Sequence, residues 1–317
     1  MFTSILFISF ALILLFFGAE GLVRGSSSLA LRAGLSPLLV GLTIVAFGTS
    51  SPELVVSINA ALAQQGDISI GNVVGSNSFN IGIILGLTAL LCPIPVHRQI
   101  IKIDAPIALG VAFLLLLFLN DKSLTRTEGL ILFTGIVVYA IMNILLARRE
   151  ANKAKATQKS GDELLTGVSK HWVIDIGFIL GGLGILVAGS RLLVDNSIIL
   201  AKAFGVSEAV IGLTIVAAGT SMPELATSIV AALRKQPDIA IGNVVGSNVF
   251  NILGILGVSS LISPIQAPGI SMIDYTMMIV FSALLIPLIY TGRLLHRLEG
   301  MLLLILYCGY LYLLWPK

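Results

Sequence analysis

Two glutamates, Glu53 and Glu224, occur inside long apolar segments, each directly after a proline. The phrases that contain them read GTSSPELVVS and GTSMPELATS. A charged side chain at the centre of a bilayer costs about 3 kcal/mol on insertion scales, so such residues usually face a cavity or a counter-ion. Carboxylates, hydroxyls and unpaired carbonyls are the hard oxygen ligands that suit Ca²⁺ and Na⁺. The duplicated phrase therefore predicts cation transport.

Hydroxyl groups accompany each glutamate at helical spacing. Thr49 lies four residues before Glu53, and Thr220 precedes Glu224 in the same way, so each pair shares a helix face. A serine follows each threonine, namely Ser50 and Ser221. The proline removes a backbone donor and frees a carbonyl that protein, water or an ion must satisfy in lipid. A kink with local capping is the alternative, but two copies with a carboxylate each favour a cation site.

A second duplicated phrase reads GNVVGSNSFN in the first half and GNVVGSNVFN in the second. Ser76 and Asn80 lie four residues apart on one helix face, and Ser247 and Asn251 repeat this arrangement. Each pair offers a hydroxyl and an amide carbonyl to the same centre. Hydrogen bonding between helices is the alternative role, and it is the expected role of the other asparagines of the phrase. These are Asn72, Asn77, Asn243 and Asn248.

The elements that must position these residues are transmembrane helices. The chain has 317 residues, of which 56% are hydrophobic and 11% charged, whereas a soluble domain carries about 25% charged residues. A spanning helix needs about 20 apolar residues, and ten such segments fit, which predicts an all-α membrane protein with ten transmembrane helices. The predicted spans are 2–23, 36–63, 69–92, 103–120, 127–147, 172–195, 208–233, 240–263, 272–291 and 297–315.

The chain is an internal duplication with a constant offset of 171 residues, which relates Gly48 to Gly219 and Asn80 to Asn251. Roughly two-thirds of the positions in 34–94 are identical under this offset, without a gap. Five spans per half is an odd number, so the second half must be inverted. Inverted repeats with broken helices are typical of secondary transporters with a midplane site. This predicts a first five-helix repeat at 1–147, a cytoplasmic linker at 148–171 and an inverted second repeat at 172–317.

The basic residues predict the orientation in the membrane. If the N-terminus lies outside, 14 of the 19 Lys and Arg residues fall on the inner side and 5 on the outer side. The positive-inside rule therefore places both termini outside and the linker in the cytoplasm. We expect an integral, multi-pass protein of the plasma (cell inner) membrane.

The candidate site combines two carboxylates with no cationic side chain, so one Ca²⁺ or two Na⁺ would neutralise it. Sulfur and imidazole ligands are absent from the two phrases, which argues against Zn²⁺ or Cu⁺. The expected substrates are Na⁺ and Ca²⁺, and the expected surroundings are the lipid bilayer. We expect no cofactor, no nucleic acid and no obligate protein partner.

At these residues the sequence resembles the sodium/calcium exchanger family of the cation/calcium antiporter superfamily, in its prokaryotic form. Both pairs of phrases match the two α-repeats of that family, and the resemblance covers essentially the whole chain. It implies an ion site formed by spans two, three, seven and eight, with spans one and six sliding as a gate. The implied ligands are the carboxylates of Glu53 and Glu224, the side-chain oxygens of Thr49, Ser50, Ser76, Thr220, Ser221 and Ser247, the backbone carbonyls of Ala46 and Ala217, and Asn80 as a polar partner.

The resemblance also bears on the coupling ion. Potassium-dependent members carry aspartate where this chain has Asn251, so the amide implies a potassium-independent exchanger. Proton-coupled relatives typically carry a GNxxE phrase, which is absent here. We expect a secondary antiporter that exchanges Na⁺ for Ca²⁺ by alternating access, with proton coupling as the alternative. An intramembrane hydrolase lacks a Ser–His, Ser–Lys or HExxH arrangement, so an enzyme is not expected, and a passive channel is disfavoured by the inverted repeats.

Overall fold

The computed structural model describes residues 2–157, 171–204 and 217–314, and its elements are those of this part of the chain. Helices make up almost all of it. They are α1 Phe2–Ala33, α2 Pro37–Thr49, α3 Ser51–Leu62, α4 Gly66–Leu91, α5 Ile100–Asp121, α6 Arg126–Thr157, α7 Trp172–Ala203, α8 Ala217–Thr220, α9 Met222–Leu233, α10 Pro237–Ile262, α11 Met272–Tyr290 and α12 Arg297–Leu314. Four two-residue strands connect them: β1 Ile94–Pro95, β2 Ser123–Leu124, β3 Ile265–Gln266 and β4 Leu294–Leu295.

The described helices confirm the predicted all-helical membrane class. Eight of them are long and apolar enough to cross a membrane, or nine if the bent pair α2 and α3 forms one span. Helix α9 is apolar but has only 12 residues. The predicted span 208–233 begins within residues 205–216, which lie outside the described residues. The total of ten spans therefore stays a prediction.

In each proline–glutamate phrase the helix is interrupted at a single serine, and the next helix begins at the residue after it. Helices α2 and α3 meet at Ser50 with a bend of 46°. Ser50 has φ −82° and ψ 7°, and Ser221, between α8 and α9, has φ −87° and ψ 9°. Each proline lies in the first turn of the following helix, where its missing N–H needs no partner. The predicted break therefore has the same backbone conformation in both halves.

Wider π-helical turns lie next to candidate site residues. They begin at Asn80 in α4 (Asn80–Leu85) and at Asn251 in α10 (Asn251–Leu256). A third, Gly41–Val45, lies directly before Ala46 in α2. A π turn inserts an extra residue into the helix and turns the side chains around it, and it often occurs at functional sites. Residue periodicity alone does not predict these turns.

The two halves pair with each other through their short strands. Strand β1 pairs with β4, and β2 pairs with β3, both antiparallel. The amide of Val96 donates to the carbonyl of Arg293 at 2.8 Å, and the amide of Ala267 donates to that of Lys122 at 2.9 Å. The offset of 171 converts the first of these bonds into the second. The contact is therefore reciprocal.

Close glycine contacts repeat the same reciprocity between helices. A Cβ atom at Gly86 in α4 would lie 3.1 Å from the carbonyl oxygen of Gly300 in α12. The equivalent pair joins Gly257 in α10 to Gly129 in α6, where a Cβ at Gly129 would lie 3.1 Å from the carbonyl oxygen of Gly257. Small residues let the backbones approach this closely. Helix α12 of the second half thus packs against α4 of the first, and α6 of the first half packs against α10 of the second.

Helices α1 and α7 form a long antiparallel pair. Gly18 and Gly25 of α1 face Gly182 and Asp175 of α7 respectively, so the residue numbers run in opposite directions. Arg32 closes the pair with an ion pair to Asp175 at 3.1 Å. Both helices expose apolar side chains along their outer faces. The pair therefore lies at the edge of the bundle, whereas α4 and α10 are buried at its centre.

Three helices run well beyond the predicted spans. Helix α1 continues to Ala33, beyond the predicted end at 23, and α6 continues to Thr157, beyond 147. Helix α7 continues to Ala203, beyond the predicted end at 195. The extension of α6 consists of strong helix formers such as alanine, lysine, arginine and glutamate. The first part of the predicted linker is therefore helical, and its residues 158–170 lie outside the described residues.

Candidate cation site

Glu53 and Glu224 occupy equivalent places in the fold. Each is the third residue of the helix that follows a break, α3 or α9. Both are buried, with 0% and 1% of the residue exposed. The N-terminal end of a helix carries a partial positive charge, which stabilises a carboxylate in its first turn. The break therefore does more than bend the chain, because it gives each acid a favourable helix terminus.

The two serines at the breaks bring the halves together at the acids. The hydroxyl of Ser50 donates to Oε1 of Glu224 at 2.8 Å, and the hydroxyl of Ser221 donates to Oε1 of Glu53 at 3.0 Å. Each glutamate is thus held by the serine of the other half. This reciprocal pair assembles the two predicted acids into one buried cluster.

Four buried oxygen atoms of this cluster have no hydrogen-bond partner among the described residues. They are Oε2 of Glu53, Oε2 of Glu224, Oδ1 of Asn80 and Oδ1 of Asn251. A buried acceptor without a donor costs roughly 1–3 kcal/mol, and more when it is charged. These atoms form two pairs related by the offset of 171. A desolvated cation is the kind of ligand that satisfies buried oxygen atoms of this type.

The asparagine amides are oriented by bonds between the halves. Nδ2 of Asn80 donates to Oδ1 of Asn248 at 2.9 Å, and Nδ2 of Asn251 donates to Oδ1 of Asn77 at 3.0 Å. Asn77 and Asn248 also donate to each other's backbone carbonyls, at 3.0 and 3.2 Å. Asn77 and Asn248 therefore join the central helices. The orientation that they impose keeps the carbonyl oxygens of Asn80 and Asn251 free of protein donors.

Asn72 and Asn243 form hydrogen bonds between helices, which is the role expected for them, and these bonds hold the segments that carry the acids. Nδ2 of Asn72 donates to the backbone carbonyl of Glu53 at 3.1 Å, and Nδ2 of Asn243 donates to that of Glu224 at 3.3 Å. Their Oδ1 atoms accept from the threonines of the other half, Thr220 at 3.5 Å and Thr49 at 3.0 Å. Asn72, Ser76 and Asn80 are spaced by four residues and share one face of α4.

The remaining predicted ligands lie at or beside this cluster. The hydroxyl oxygens of Ser221 and Ser76 lie 3.2 Å apart, within hydrogen-bond distance, and Ser247 donates to the carbonyl of Ala46 at 3.5 Å. Ala46 is the residue that follows the π turn of α2, and its carbonyl oxygen lies 3.4 Å from the hydroxyl oxygen of Thr49. Ala217 begins α8, directly after the residues outside the described part. Most of the predicted residues are thus linked by direct contacts, and their role as ion ligands stays a prediction.

One freed carbonyl is satisfied by the protein itself. The proline of the second phrase removes the donor that would reach Gly219, and the hydroxyl of Ser190 in α7 donates to this carbonyl at 2.5 Å. The predicted availability of that carbonyl to an ion is therefore reduced. The residue equivalent to Ser190 in the first half is Ala19, which has no donor in its side chain.

The donor set of the cluster is made of oxygen. The described residues contain no group of three or more His, Cys, Asp and Glu side chains that could hold a metal ion. Two carboxylates, amide carbonyls, hydroxyls and backbone carbonyls remain, and such ligands favour Na⁺, Ca²⁺ and similar hard cations over Zn²⁺ or Cu⁺.

Comparison with known proteins gives a consistent result. The family model described as sodium/calcium exchanger protein matches residues 3–145 and 174–315. CaxA of Alkalimonas amylolytica is 40% identical over the full length of both chains. The sodium/calcium exchanger MaX1 of Methanosarcina acetivorans is 33% identical, over 97% of each chain. The sodium–calcium exchanger NCX_Mj, in a structure soaked with Na⁺ and Ca²⁺, superposes with a TM-score of 0.82 at 30% identity, over 98% of each chain.

The two matched segments contain both proline–glutamate phrases and both asparagine phrases. The structural match extends over nearly the whole chain, so it includes the helices that carry the buried acids. This chain therefore belongs to the sodium/calcium exchanger protein family, whose members are membrane antiporters of cations.

Proposed function

We propose that this protein exchanges Na⁺ for Ca²⁺ across the membrane through the cluster around Glu53 and Glu224. The observation that carries the proposal is the set of four buried oxygen atoms without a protein donor, two of them on carboxylates. Antiport requires that the two kinds of ion compete for one site, and a shared pair of acids supplies that competition. A net charge of −2 is neutralised by one Ca²⁺ or by two Na⁺.

The proposed ligand set is the one expected from the sequence, and the contacts in the cluster support most of it. Glu53 and Glu224 are the central ligands, and Asn80 and Asn251 supply amide oxygens beside them. Hydroxyl oxygens, which keep lone pairs when they donate a hydrogen bond, and backbone carbonyls complete the coordination shell. These further ligands are Thr49, Ser50, Ser76, Thr220, Ser221, Ser247, Ala46 and Ala217.

The same proposal includes ten spans in two inverted repeats of five helices, 1–147 and 172–317, joined by the linker 148–171. Reciprocal strand pairing supports it, because the connection that carries β1 meets the connection that carries β4, which by the offset is the equivalent of β2. In repeats of like orientation those two connections would lie on opposite sides of the membrane. The antiparallel course of the equivalent helices α1 and α7 supports it as well.

The proposed location is the plasma (cell inner) membrane, with both termini outside and the linker in the cytoplasm. The distribution of basic residues supports this orientation. Maleimide labelling of single cysteines introduced at position 160 and at position 317, in a background without Cys92 and Cys308, tests it in intact cells. Labelling from outside at 317 and not at 160 is expected, and the opposite pattern would reverse the orientation.

Proteoliposomes test the transport activity. An outward Na⁺ gradient should drive Ca²⁺ uptake that saturates, and external Na⁺ should compete with Ca²⁺. The variant E53Q/E224Q should lose this flux, while D104N should keep it, because Asp104 is also buried but bonds to Tyr139 away from the acids. Equal Na⁺-driven flux in E53Q/E224Q and the wild type would refute the site.

The coupling ion is tested in the same vesicles. A proton gradient without Na⁺ should give no Ca²⁺ uptake, and replacing K⁺ with choline should leave the Na⁺-driven rate unchanged, since Asn251 adds no third negative charge. Uptake driven by the proton gradient alone would favour a proton-coupled exchanger. A requirement for K⁺ would contradict the proposed independence.

A further inference from the structure

A groove on the outer face of the α1 and α7 pair lies apart from the acids. It has a volume of about 360 Å³, within the range of about 300–1,000 Å³ that is usual for small-molecule sites. Phe16, Phe17 and Phe178 form its walls, and Gly177 and Gly181 form part of its floor. All three phenylalanines are exposed on the face that looks toward lipid. Its walls therefore suit hydrocarbon.

One end of the groove carries a small cluster of charges. Nε of Arg24 and Nε of Arg234 both donate to the carboxylate of Glu20, the second at 2.7 Å. Glu20 is buried, whereas 60% of the Arg24 side chain and 49% of the Arg234 side chain are exposed. Two guanidinium groups on one carboxylate leave a net charge of +1.

Both arginines keep their terminal N–H groups available. Each uses Nε for the bond to Glu20, and neither has another hydrogen-bond partner within residues 2–157, 171–204 and 217–314. Glu20 fixes the two guanidinium groups side by side. Paired guanidinium groups with free terminal donors match the oxygens of a phosphate.

The charges lie near the ends of apolar helical segments, where lipid headgroups are expected. Phe178 is six residues from the start of α7, which corresponds to about 9 Å of helix. Arg234 directly follows the end of α9. The apolar run of α1 also ends where Glu20 and Arg24 begin its charged part. A lipid with its phosphate at the arginines would thus have its acyl chain beside the phenylalanines.

We propose that the groove between α1 and α7 binds an acidic phospholipid, with the phosphate held by Arg24 and Arg234 and an acyl chain lying against Phe16, Phe17 and Phe178. The net charge of +1 selects an anionic headgroup over a zwitterionic one. A soluble phosphate would contact only the charged end of the groove, whereas a phospholipid contacts both the arginines and the phenylalanines.

Native mass spectrometry of the purified full-length protein tests the proposal. The probes are phosphatidylglycerol, phosphatidylcholine with the same acyl chains, and inorganic phosphate. The wild type should bind phosphatidylglycerol at least about tenfold more tightly than phosphatidylcholine. The variant R24Q/R234Q should lose this preference, while K235Q should keep it, because Lys235 is adjacent in sequence but does not line the groove.

A second variant keeps the arginines and blocks the apolar part. A side chain at Gly181 meets no described atom within 4 Å and projects at the groove, so G181L should fill it and weaken phosphatidylglycerol binding about tenfold. Gly184 is equally open on the same helix but does not line the groove, so G184L should bind normally.

The outcomes separate the alternatives. Equal phosphatidylglycerol binding by the wild type and G181L would overturn the proposal even if R24Q/R234Q failed to fold. Equal affinity of the wild type for both lipids would show that the arginines do not select the headgroup, which would contradict the proposal. Displacement of the lipid by millimolar inorganic phosphate would identify a soluble anion site instead.

Discussion

The two halves of the molecule agree at the buried acids and differ around them. Ser50 and Ser221 bond reciprocally to Glu224 and Glu53, and the asparagines of the central helices repeat the same contacts in both directions. Next to this core, Ser190 has Ala19 as its equivalent, Ser69 has Ala240 and Arg234 has Ala63. The symmetric residues include those of the proposed ion site. The asymmetric residues Ser190 and Ser69 bond to backbone carbonyls, and Arg234 bonds to Glu20. Each of these bonds depends on a side chain that one half has and the other lacks.

The difference teaches where substitutions should have equal effects and where they should not. Residues that form one shared cluster must act together, because each contact needs both halves. Residues such as Ser190 act on one half only. Pairs of matched variants can therefore test the comparison directly.

Replacing either acid should have the largest effect. E53Q and E224Q each remove one charge from the cluster, and losing a buried charged partner costs about 2–5 kcal/mol. Each variant should lower Na⁺-driven Ca²⁺ uptake in proteoliposomes at least about 100-fold, to a similar degree. If one variant retained more than a tenth of the wild-type rate and the other did not, the halves would contribute unequally.

Replacing the asparagines with free carbonyls should have the next largest effect. N80A and N251A each remove an amide oxygen from the cluster and a bond between the central helices. Each should weaken Ca²⁺ binding about tenfold, as measured by calorimetry. N196A is the control, because Asn196 donates only within its own helix. A tenfold effect for one variant and none for the other would contradict the symmetry of the site.

Removing Ser190 should lower the stability of the protein by breaking a bond that only the second half contains. S190A leaves the buried carbonyl of Gly219 without its side-chain donor, which costs about 1–3 kcal/mol. The thermal unfolding temperature in detergent should fall. S78A is the control, since Ser78 donates only within α4 and its equivalent in the second half is already Val249. An equal decrease of the unfolding temperature in both variants would show that the bond to Gly219 contributes no more to stability than a bond within one helix.

Removing Ser69 should have the smallest effect. Its hydroxyl donates to the carbonyl of Ser57 at 3.1 Å, and the second half has Ala240 in its place. S69A should therefore change the free energy of unfolding by less than about 1 kcal/mol. Chemical denaturation in detergent measures it. A larger loss would show that the first half depends on a bond that the second half lacks.

Much of this arrangement could be predicted from the sequence. The offset of 171 and the position of Glu53 and Glu224 after prolines predicted the buried acids and the helix breaks, because both follow from local rules for proline and charge in lipid. The reciprocal serine bonds could not be predicted, since they depend on how the two halves lie against each other. Ser190 was missed for the same reason, as its partner lies 29 residues away on another helix.

Two further differences have local causes. The π turns at Asn80 and Asn251 depend on a single inserted residue, which a period of 3.6 does not reveal. The helix end at Thr157 was placed too early because hydropathy marks where lipid contact ends, whereas the backbone can stay helical in water when its residues favour it.

The reciprocal serine bonds have a consequence for synthesis of the chain. The first half leaves the ribosome with Glu53 while Ser221, its hydroxyl donor, has not yet been made. Likewise β1 cannot pair until β4, which lies 200 residues downstream of it, has been synthesised. A truncated chain that ends in the linker is therefore an incomplete folding unit, whose carboxylate and strand edge are open to the translocation machinery and to proteases until translation finishes.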